Sequence, residues 1–261
     1  MTLATMRAEV RDSGGAAIPG YSWPVAAFPF EERIARVHTD NIVSCLMGAG
    51  RNAVQASPII DADAADLSRR WTAQSANITV ETDAAVLGGY PRYRNVGSGV
   101  AGNNSLQATL AAPLASFTFA TLFRPRQIGI QQALVSVGPF DVDGILLFAQ
   151  TTNFLILQRT ASEQKITTAQ VALDTWVSII ASYDSADNSV QVFVNSTTAN
   201  ITSTFSADPG TSRAASLLAS TSNAFEANAE MAASVIWNRA LHTDAAAIAD
   251  VMAGLTGLAA L

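Results

Sequence analysis

The sequence predicts an all-β fold: a two-sheet antiparallel jelly-roll sandwich with a short C-terminal helix and an irregular N-terminal arm. Three observations predict it. Apolar runs of strand length follow one another from Ser116 to Trp237, separated by tight polar turns. No helical periodicity alternates with these runs, so a βαβ architecture is not indicated. Hydrophobic residues make up 49% of 261 positions but aromatics only 7%, so a large core is available and must be built mainly from Val, Ile, Leu and Ala.

Residues 1–40 read as the arm. Gly14, Gly15, Pro19, Gly20, Pro24 and Pro29 interrupt any regular pattern, and Tyr21, Trp23, Phe28 and Phe30 lie among them. Exposed aromatics of this kind suit docking onto a neighbouring subunit, although packing on the arm's own domain is the alternative. Residues 41–261 are expected to form the sandwich domain. Asn41 to Met47 reads as a strand, and Tyr90 to Val96 as a second, shorter one. Between them Asp61, Asp63 and Asp66 have a calcium-like spacing. The glycine and closing glutamate of an EF-hand loop are missing, so a solvated acidic loop is the better reading.

From Ser116 the strand signals strengthen. Phe117, Phe119 and Phe123 alternate with Thr118, Ala120 and Leu122 until Pro125. Ala133 to Val137 follows. Gly144 to Ala149 and Phe154 to Arg159 flank Gln150 to Asn153, which suits a hairpin. Trp176 to Tyr183 and Val190 to Val194 flank Asp184 to Asn188, a second hairpin, and Met231 to Trp237 is the last strand. Trp176 and Trp237 fall within strands and are expected in the core, whereas Trp71 is ambiguous. Near the end, Ile248, Val251, Met252 and Leu255 share one helical face, with Thr243 as the expected cap and Gly254 and Gly257 expected to help end the helix.

Several of these segments resemble laminin-G-like domains of the concanavalin-A-like lectin/glucanase superfamily. The strand Trp176 to Asp184, the following Val190 to Asn195, the closing Ile236-Trp-Asn-Arg-Ala-Leu241 with its helix, and Ser116 to Pro125 appear in the family's order. Ser196 stands where the family usually has glycine, which implies a different turn after Asn195. The resemblance implies two curved sheets packed face to face, in a fold used for glycan binding and for protein contact on phage and bacterial surfaces. Its calcium-binding members use loop carboxylates. Asp141 and Asp143 are the best candidates here, then Asp184 and Asp187, but no full ligand set maps onto the chain. No cofactor is therefore expected beyond calcium as an open question.

Chemistry is poorly represented. Glu226 and Glu230 are about 13 Å apart along one strand face, too far for either glycosidase geometry, and Asp141 and Asp143 fall in an expected loop. His38 and His242 are the only histidines, and His242 has a structural role available where the last strand meets the helix. Cys45 is the single cysteine, so no intrachain disulfide forms, and a small buried side chain is expected. The expectation is a protein without catalytic residues and without a metal site. Polysaccharide hydrolysis is the remote alternative. For carbohydrate contact the candidates are Tyr90, Arg92, Tyr93 and Arg94, with Asp141 and Asp143.

The formal charge is −6, from 21 acidic and 15 basic residues, with no basic cluster that would track a phosphate backbone. Nucleic acid is not an expected partner, nor is membrane insertion. Lys165 is the only lysine among many alanines and arginines, which points to a GC-rich bacterial or phage genome. Met1 to Gly15 does not resemble a signal peptide. The expected setting is a homo-oligomeric virion-surface protein made in the host cytoplasm: a capsid decoration, head fibre or tail-associated protein. The arm would contact other virion or assembly proteins and the sandwich host-surface glycans. A lectin module on a bacterial cell surface is the alternative.

Overall fold

The computed structural model describes residues 7–11, 17–24, 29–47, 71–74, 77–98, 104–110, 112–139, 144–159, 163–206, 210, 212–222 and 224–261, with backbone alone for 7–29, 32, 72 and 73. A hairpin opens the chain: β1 (Arg7–Arg11) and β2 (Ala17–Pro24) pair antiparallel within the segment read as an irregular arm. Then come α1 (Pro29–Ala35), β3 (Ile42–Met47), β4 (Thr72–Ala73), β5 (Ile78–Glu81), β6 (Arg92–Val96), β7 (Leu106–Thr109) and β8 (Phe117–Pro125). The hairpin strands β9 (Gln132–Val137), β10 (Ile145–Ala149), β11 (Phe154–Arg159) and β12 (Glu163–Gln170) follow. The chain closes with β13 (Val177–Asp184), β14 (Ser189–Val194), β15 (Ile201–Thr204), β16 (Ala214–Leu217), β17 (Asn228–Trp237) and α2 (Ala245–Ala259).

These strands form a seven-stranded sheet ordered β12-β11-β10-β9-β16-β7-β4 and an eight-stranded sheet running β15-β14-β13-β8-β17-β6-β5. Strand β17 is ten residues long, and its two halves take different neighbours on one edge: residues 228–231 pair with β6, and residues 233–237 with β3. All pairings are antiparallel, as the short polar turns require.

The core lies between the sheets. Phe117, Phe119 and Phe123 of β8 point inward with Ile179 and Ala181 of β13 and Leu147, Leu155 and Leu157 opposite. Burying each phenylalanine contributes about 1.5–3 kcal/mol. The other face of β8, at Ala120 and Leu122, is also dry, because Ile180, Phe193, Val235 and Trp237 meet the two helices there. The molecule therefore has a third, helical layer over the middle of the eight-stranded sheet. This explains why β8 and β13 are apolar on both faces instead of alternating with polar residues. Trp71 and Trp237 are buried and bonded, Nε1 donating to Ser44 Oγ and to the Val37 carbonyl respectively. Trp176 sits just before β13 and is only half-buried, and Cys45 is buried as expected.

The helix layer corrects three expectations. Asp244, not Thr243, caps α2, accepting from the Ala246 and Ala247 amides, while Thr243 Oγ1 donates to the Ala240 carbonyl. Gly254 and Gly257 do not end the helix. They lie inside it, facing α1, where a Cβ would fall 2.4 Å from Ile34 Cγ1 and 2.1 Å from Phe30 Cδ1. Phe30, assigned to a docking arm, is packed on its own domain: Pro29 opens α1, whose Phe30 and Ile34 rest on these glycines.

The turn after β14 also departs from an Asn-Gly pattern. Asn195 alone takes positive φ (51°), and its side-chain oxygen accepts from the Ser178 amide. An Asn in the left-handed region fixed by its own hydrogen bond leaves the next position free to be serine.

Candidate functional site

The residues proposed for carbohydrate contact divide once placed. Tyr90 follows a 3-10 turn at Leu87–Gly89 and is 1% exposed, its hydroxyl donating to Glu31 Oε1 at 2.5 Å beneath the helix layer. It is a core residue and not a loop aromatic, because the helix layer covers its ring and Glu31 takes its hydroxyl. Arg92 is 2% exposed, its Nε donating to Glu230 Oε2 at 3.0 Å and its Nη2 to Glu81 Oε2 at 3.3 Å. It is taken up by a buried ion pair and presents no stacking surface. Tyr93 alternates inward and packs against the sandwich core. Arg94 stays half-buried on the outer face, with Nη2 donating to Asn228 Oδ1 at 2.7 Å.

Asp141 and Asp143 lie outside the described residues, as do Asp61, Asp63, Asp66 and Phe28. Tyr21 and Trp23 fall in β2, where only the backbone is described. Asp184 and Asp187 shape the turn after β13: Asp184 Oδ1 accepts from the Ala186 amide and Asp187 Oδ1 from the Ser189 amide. Among the described residues no cluster of His, Cys, Asp and Glu could hold a metal ion.

The groups weighed for catalysis are engaged in the fold. Glu226 is buried and receives both the amide and the side-chain NH2 of Asn104, each at 2.8 Å. Glu230 is buried among Arg92, Arg124 and Arg126. His242 lies with Nδ1 2.9 Å from Ser182 Oγ and Nε2 2.8 Å from Ser189 Oγ, and burial pushes its pKa below the ordinary value. Ser182 is fully buried and also meets Thr118 Oγ1 at 2.9 Å, so this network ties the connection between β17 and α2 to β8, β13 and β14. His38 pairs with the capping Asp244 at 3.0 Å, on the rim of a mixed-charge groove of about 430 Å³ that Arg33, Arg36 and Asp250 also line.

The broader candidate is a sheet face. The helices seal the middle of the eight-stranded sheet, but no helix lies on the outer face of the seven-stranded sheet among the described residues. Register defines two rows there. One runs Ile166, Ile156, Phe148, Ala133; the other runs Gln164, Gln158, Leu146, Ser136, Ser216, Gln107. At one end the loop before β17 folds over the face: Phe225 accepts the Ala133 amide on its carbonyl, and its ring lies 6.3 Å from Phe148. Toward the edge strand β12 the face opens. Ile166 is 53% exposed, Gln164 and Gln170 are exposed, and Phe154 is half-buried on the same side. Gln164 Nε2 donates to Gln158 Oε1 at 3.1 Å, which orients the pair. Sequence reasoning missed this strip because β12 is a polar edge strand with one buried residue, Thr167, and shows no apolar run.

Two antiparallel sheets in this order, closed by the Trp237 strand and a helix, also match in sequence. Residues 98–247 match the family model Laminin_G_3, described as the concanavalin A-like lectin/glucanases superfamily. The chain belongs to this family. As a member of the concanavalin A-like superfamily it is also similar in fold to several solved structures. Domain 4 of AbnA, an extracellular arabinanase from Geobacillus stearothermophilus, in complex with arabinotriose, superposes with TM-score 0.59 at 12% identity, over 81% of this chain and 98% of that one. The binding domain of Paraclostridial Mosquitocidal Protein 1 gives 0.56 at 13% identity, over 82% of this chain and 52% of that one. The binding domain of botulinum neurotoxin serotype G gives 0.56 at 11%, over 81% and 50%. This chain thus spans about half of each toxin binding domain, and at these identities the likeness is one of fold. No curated protein matches the chain in sequence.

Proposed function

We propose that this concanavalin A-like protein is a non-enzymatic structural and interaction protein that presents the outer face of its seven-stranded sheet to glycans. The observation that carries the reading is the open strip along β11 and β12, where Phe154 and Ile166 lie beside the exposed amides of Gln164 and Gln170, with Gln158 buried behind Gln164. Sugars offer apolar C–H faces flanked by hydroxyls. A flat apolar strip bordered by side-chain amides, each able to donate and accept, matches that chemistry. The glycan named with the AbnA domain supports the reading. We place the protein on a bacteriophage virion as a homo-oligomeric capsid decoration, head fibre or tail-associated component, with the segment before α1 docking on the assembly. A lectin module of a bacterial cell surface is the second reading.

Two measurements test this. A neutral-glycan array is read with the full chain and with Gln164→Ala/Gln170→Ala, both exposed on this face. Binding by the first and at least tenfold weaker binding by the second, at equal Tm, support the proposed face; equal binding by both removes it. Light scattering then compares the full chain with one lacking residues 1–28, which keeps α1. An oligomer that becomes a monomer supports the docking role, and two monomers favour the stand-alone lectin.

A further inference from the structure

The outer face of the eight-stranded sheet carries a second cluster, beside the helices and away from the strip on β12. Arg92 and Arg94 of β6, Arg124 of β8 and Glu230 of β17 share this face, because Glu230 is the cross-strand partner of both Arg94 and Arg124. Glu81 pairs with Arg92 across β5 and β6. Arg126 and Asp174 complete the group, with Arg126 Nη1 2.6 Å from Asp174 Oδ1.

The cluster does not balance. Glu230 is shared by Arg92, Arg124 and Arg126; Asp174 by Arg124 and Arg126; and Glu81 is held by Arg92. Arg94 is the arginine left over. Its acceptors are the carbonyls of Asn95 and Ala229 and the side-chain oxygen of Asn228, all neutral. Its pKa is held below the ordinary value by burial, which outweighs the attraction of Glu230, Glu81 and Asp174, and the charge of Arg126 adds to the lowering. A separate defect lies two residues earlier. Arg92 is 2% exposed, yet its Nη1 has no hydrogen-bond partner among the described residues. An orphaned donor on a buried cation is costly, and evolved structures seldom leave one without a reason.

Both defects call for the same thing. Residues two apart on a strand lie about 6.5 Å apart on one face. An anion with two oxygens can accept charge-assisted bonds of about 2.8 Å from two guanidinium groups on the same face at once. Guanidinium forks favour planar or tetrahedral oxyanions over simple halides.

We propose that Arg92 and Arg94 form an oxyanion site, for the carboxylate of an acidic sugar or for a sulfate or phosphate group, with Arg126 closing its charge. Glu81, whose side chain is over a third exposed, is the competing internal anion and turns aside when the ligand enters. The site does not depend on the glycan reading of the other sheet, since it occupies a different face.

The test is thermal denaturation and calorimetry of the full chain with glucuronate, inorganic sulfate, inorganic phosphate and glucose, each against sodium chloride at equal ionic strength. The expected result is a Tm that rises with at least one oxyanion and not with chloride or glucose. Arg94→Gln abolishes the rise and weakens binding at least tenfold. Glu81→Gln strengthens binding severalfold, because it removes the internal competitor while keeping the side chain's shape. Stabilisation by glucuronate alone identifies an acidic sugar as the source; stabilisation by sulfate or phosphate identifies the free or esterified inorganic group. The proposal is overturned if no oxyanion raises Tm above chloride, or if Arg94→Gln binds as the unaltered chain does. Neither result touches neutral-glycan binding at β11 and β12, which is read with neutral sugars and with the glutamine variants.

Discussion

Replacing Gly254 by alanine sets two well-measured effects against each other. In a helix interior the change favours folding by about 1 kcal/mol, because alanine loses less backbone freedom. Here the new methyl would fall 2.4 Å from Ile34 Cγ1, 3.0 Å from Ile34 Cδ1 and 2.9 Å from the Phe30 carbonyl. Ile34 is fully buried and its β-branched side chain is stiff, so it has nowhere to swing, and the carbonyl belongs to the backbone of α1. Overpacking of this kind costs about 1–3 kcal/mol, so Gly254→Ala is expected to destabilise by up to about 2 kcal/mol net. Urea denaturation followed by tryptophan fluorescence reads this as a lower midpoint at an unchanged m-value. The cycle with Ile34→Ala sharpens the test. Alone, Ile34→Ala opens a cavity and costs about 2–5 kcal/mol. In that background the two Ile34 contacts are gone and only the Phe30 carbonyl remains, so the same substitution is expected to cost less, with a coupling above about 1 kcal/mol. If Gly254→Ala stabilises the otherwise unaltered chain, α1 does not lie on α2 as described, and the assignment of residues 29–37 to the sandwich fails with it.

Four further outcomes are expected. His242 has a folded-state pKa below its unfolded value, so the unfolded chain binds the extra proton first; stability is complete above the unfolded value near 6.5 and falls as pH drops below it. Urea midpoints from pH 8 to pH 5 should show that slope, and His242→Gln should flatten it. Asp187 is lowered chiefly by its hydrogen bonds from Ser189, and Asp244 by the Ala247 amide and His38; their contributions hold above the ordinary carboxylate value and are lost only as pH falls through the lower folded values. Glu230→Gln strips the shared counter-charge from Arg92, Arg124 and Arg126 and is expected to cost about 3–5 kcal/mol by thermal melts, as removal of one partner from a buried pair does. Asn195→Ala is expected to cost about 1–3 kcal/mol, through a left-handed φ without a compensating side chain and an unpaired Ser178 amide, whereas Asn195→Gly should recover the conformational part.

The fold was legible wherever burial leaves a pattern in the residues. Phe117 to Pro125, Val177 to Asp184 and the Ile248, Val251, Met252, Leu255 face were all readable, because a strand or helix in the core must carry apolar side chains at its own period. Strands β12 and β15 were not. They lie at the two sheet edges, alternate partly exposed Glu, Gln and Thr, and acquire their structure from pairing with β11 and β14. The site was legible only in fragments. Arg92 and Arg94 were singled out as charged neighbours of tyrosines. What gives them meaning is Glu230, which lies 138 residues from Arg92 in the chain and is brought to it by the pairing of β17 with β6. Tyr90 misled for a related reason: a tyrosine between Gly89 and Pro91 has the local look of an exposed loop, and its burial depends on Glu31 and the helix layer.

That layer also bears on how a displayed sandwich would be oriented. Helix α1 enters the fold on the outer face of the eight-stranded sheet, held there by Ile34 and by Gly254 and Gly257 of α2. The chain preceding Pro29 must therefore join the domain on its helical side. The open strip of Phe154, Gln164, Ile166 and Gln170 lies on the far side of the sandwich, across both sheets. A protein tethered through the N-terminal segment would present the strip outward. The proposed oxyanion site of Arg92 and Arg94 sits instead on the helical side, nearer the tether. If the full chain oligomerises as proposed, it should differ from the chain lacking residues 1–28 in oxyanion affinity while binding neutral glycan equally per subunit. Equal oxyanion binding by both forms would show that assembly leaves the helical side open.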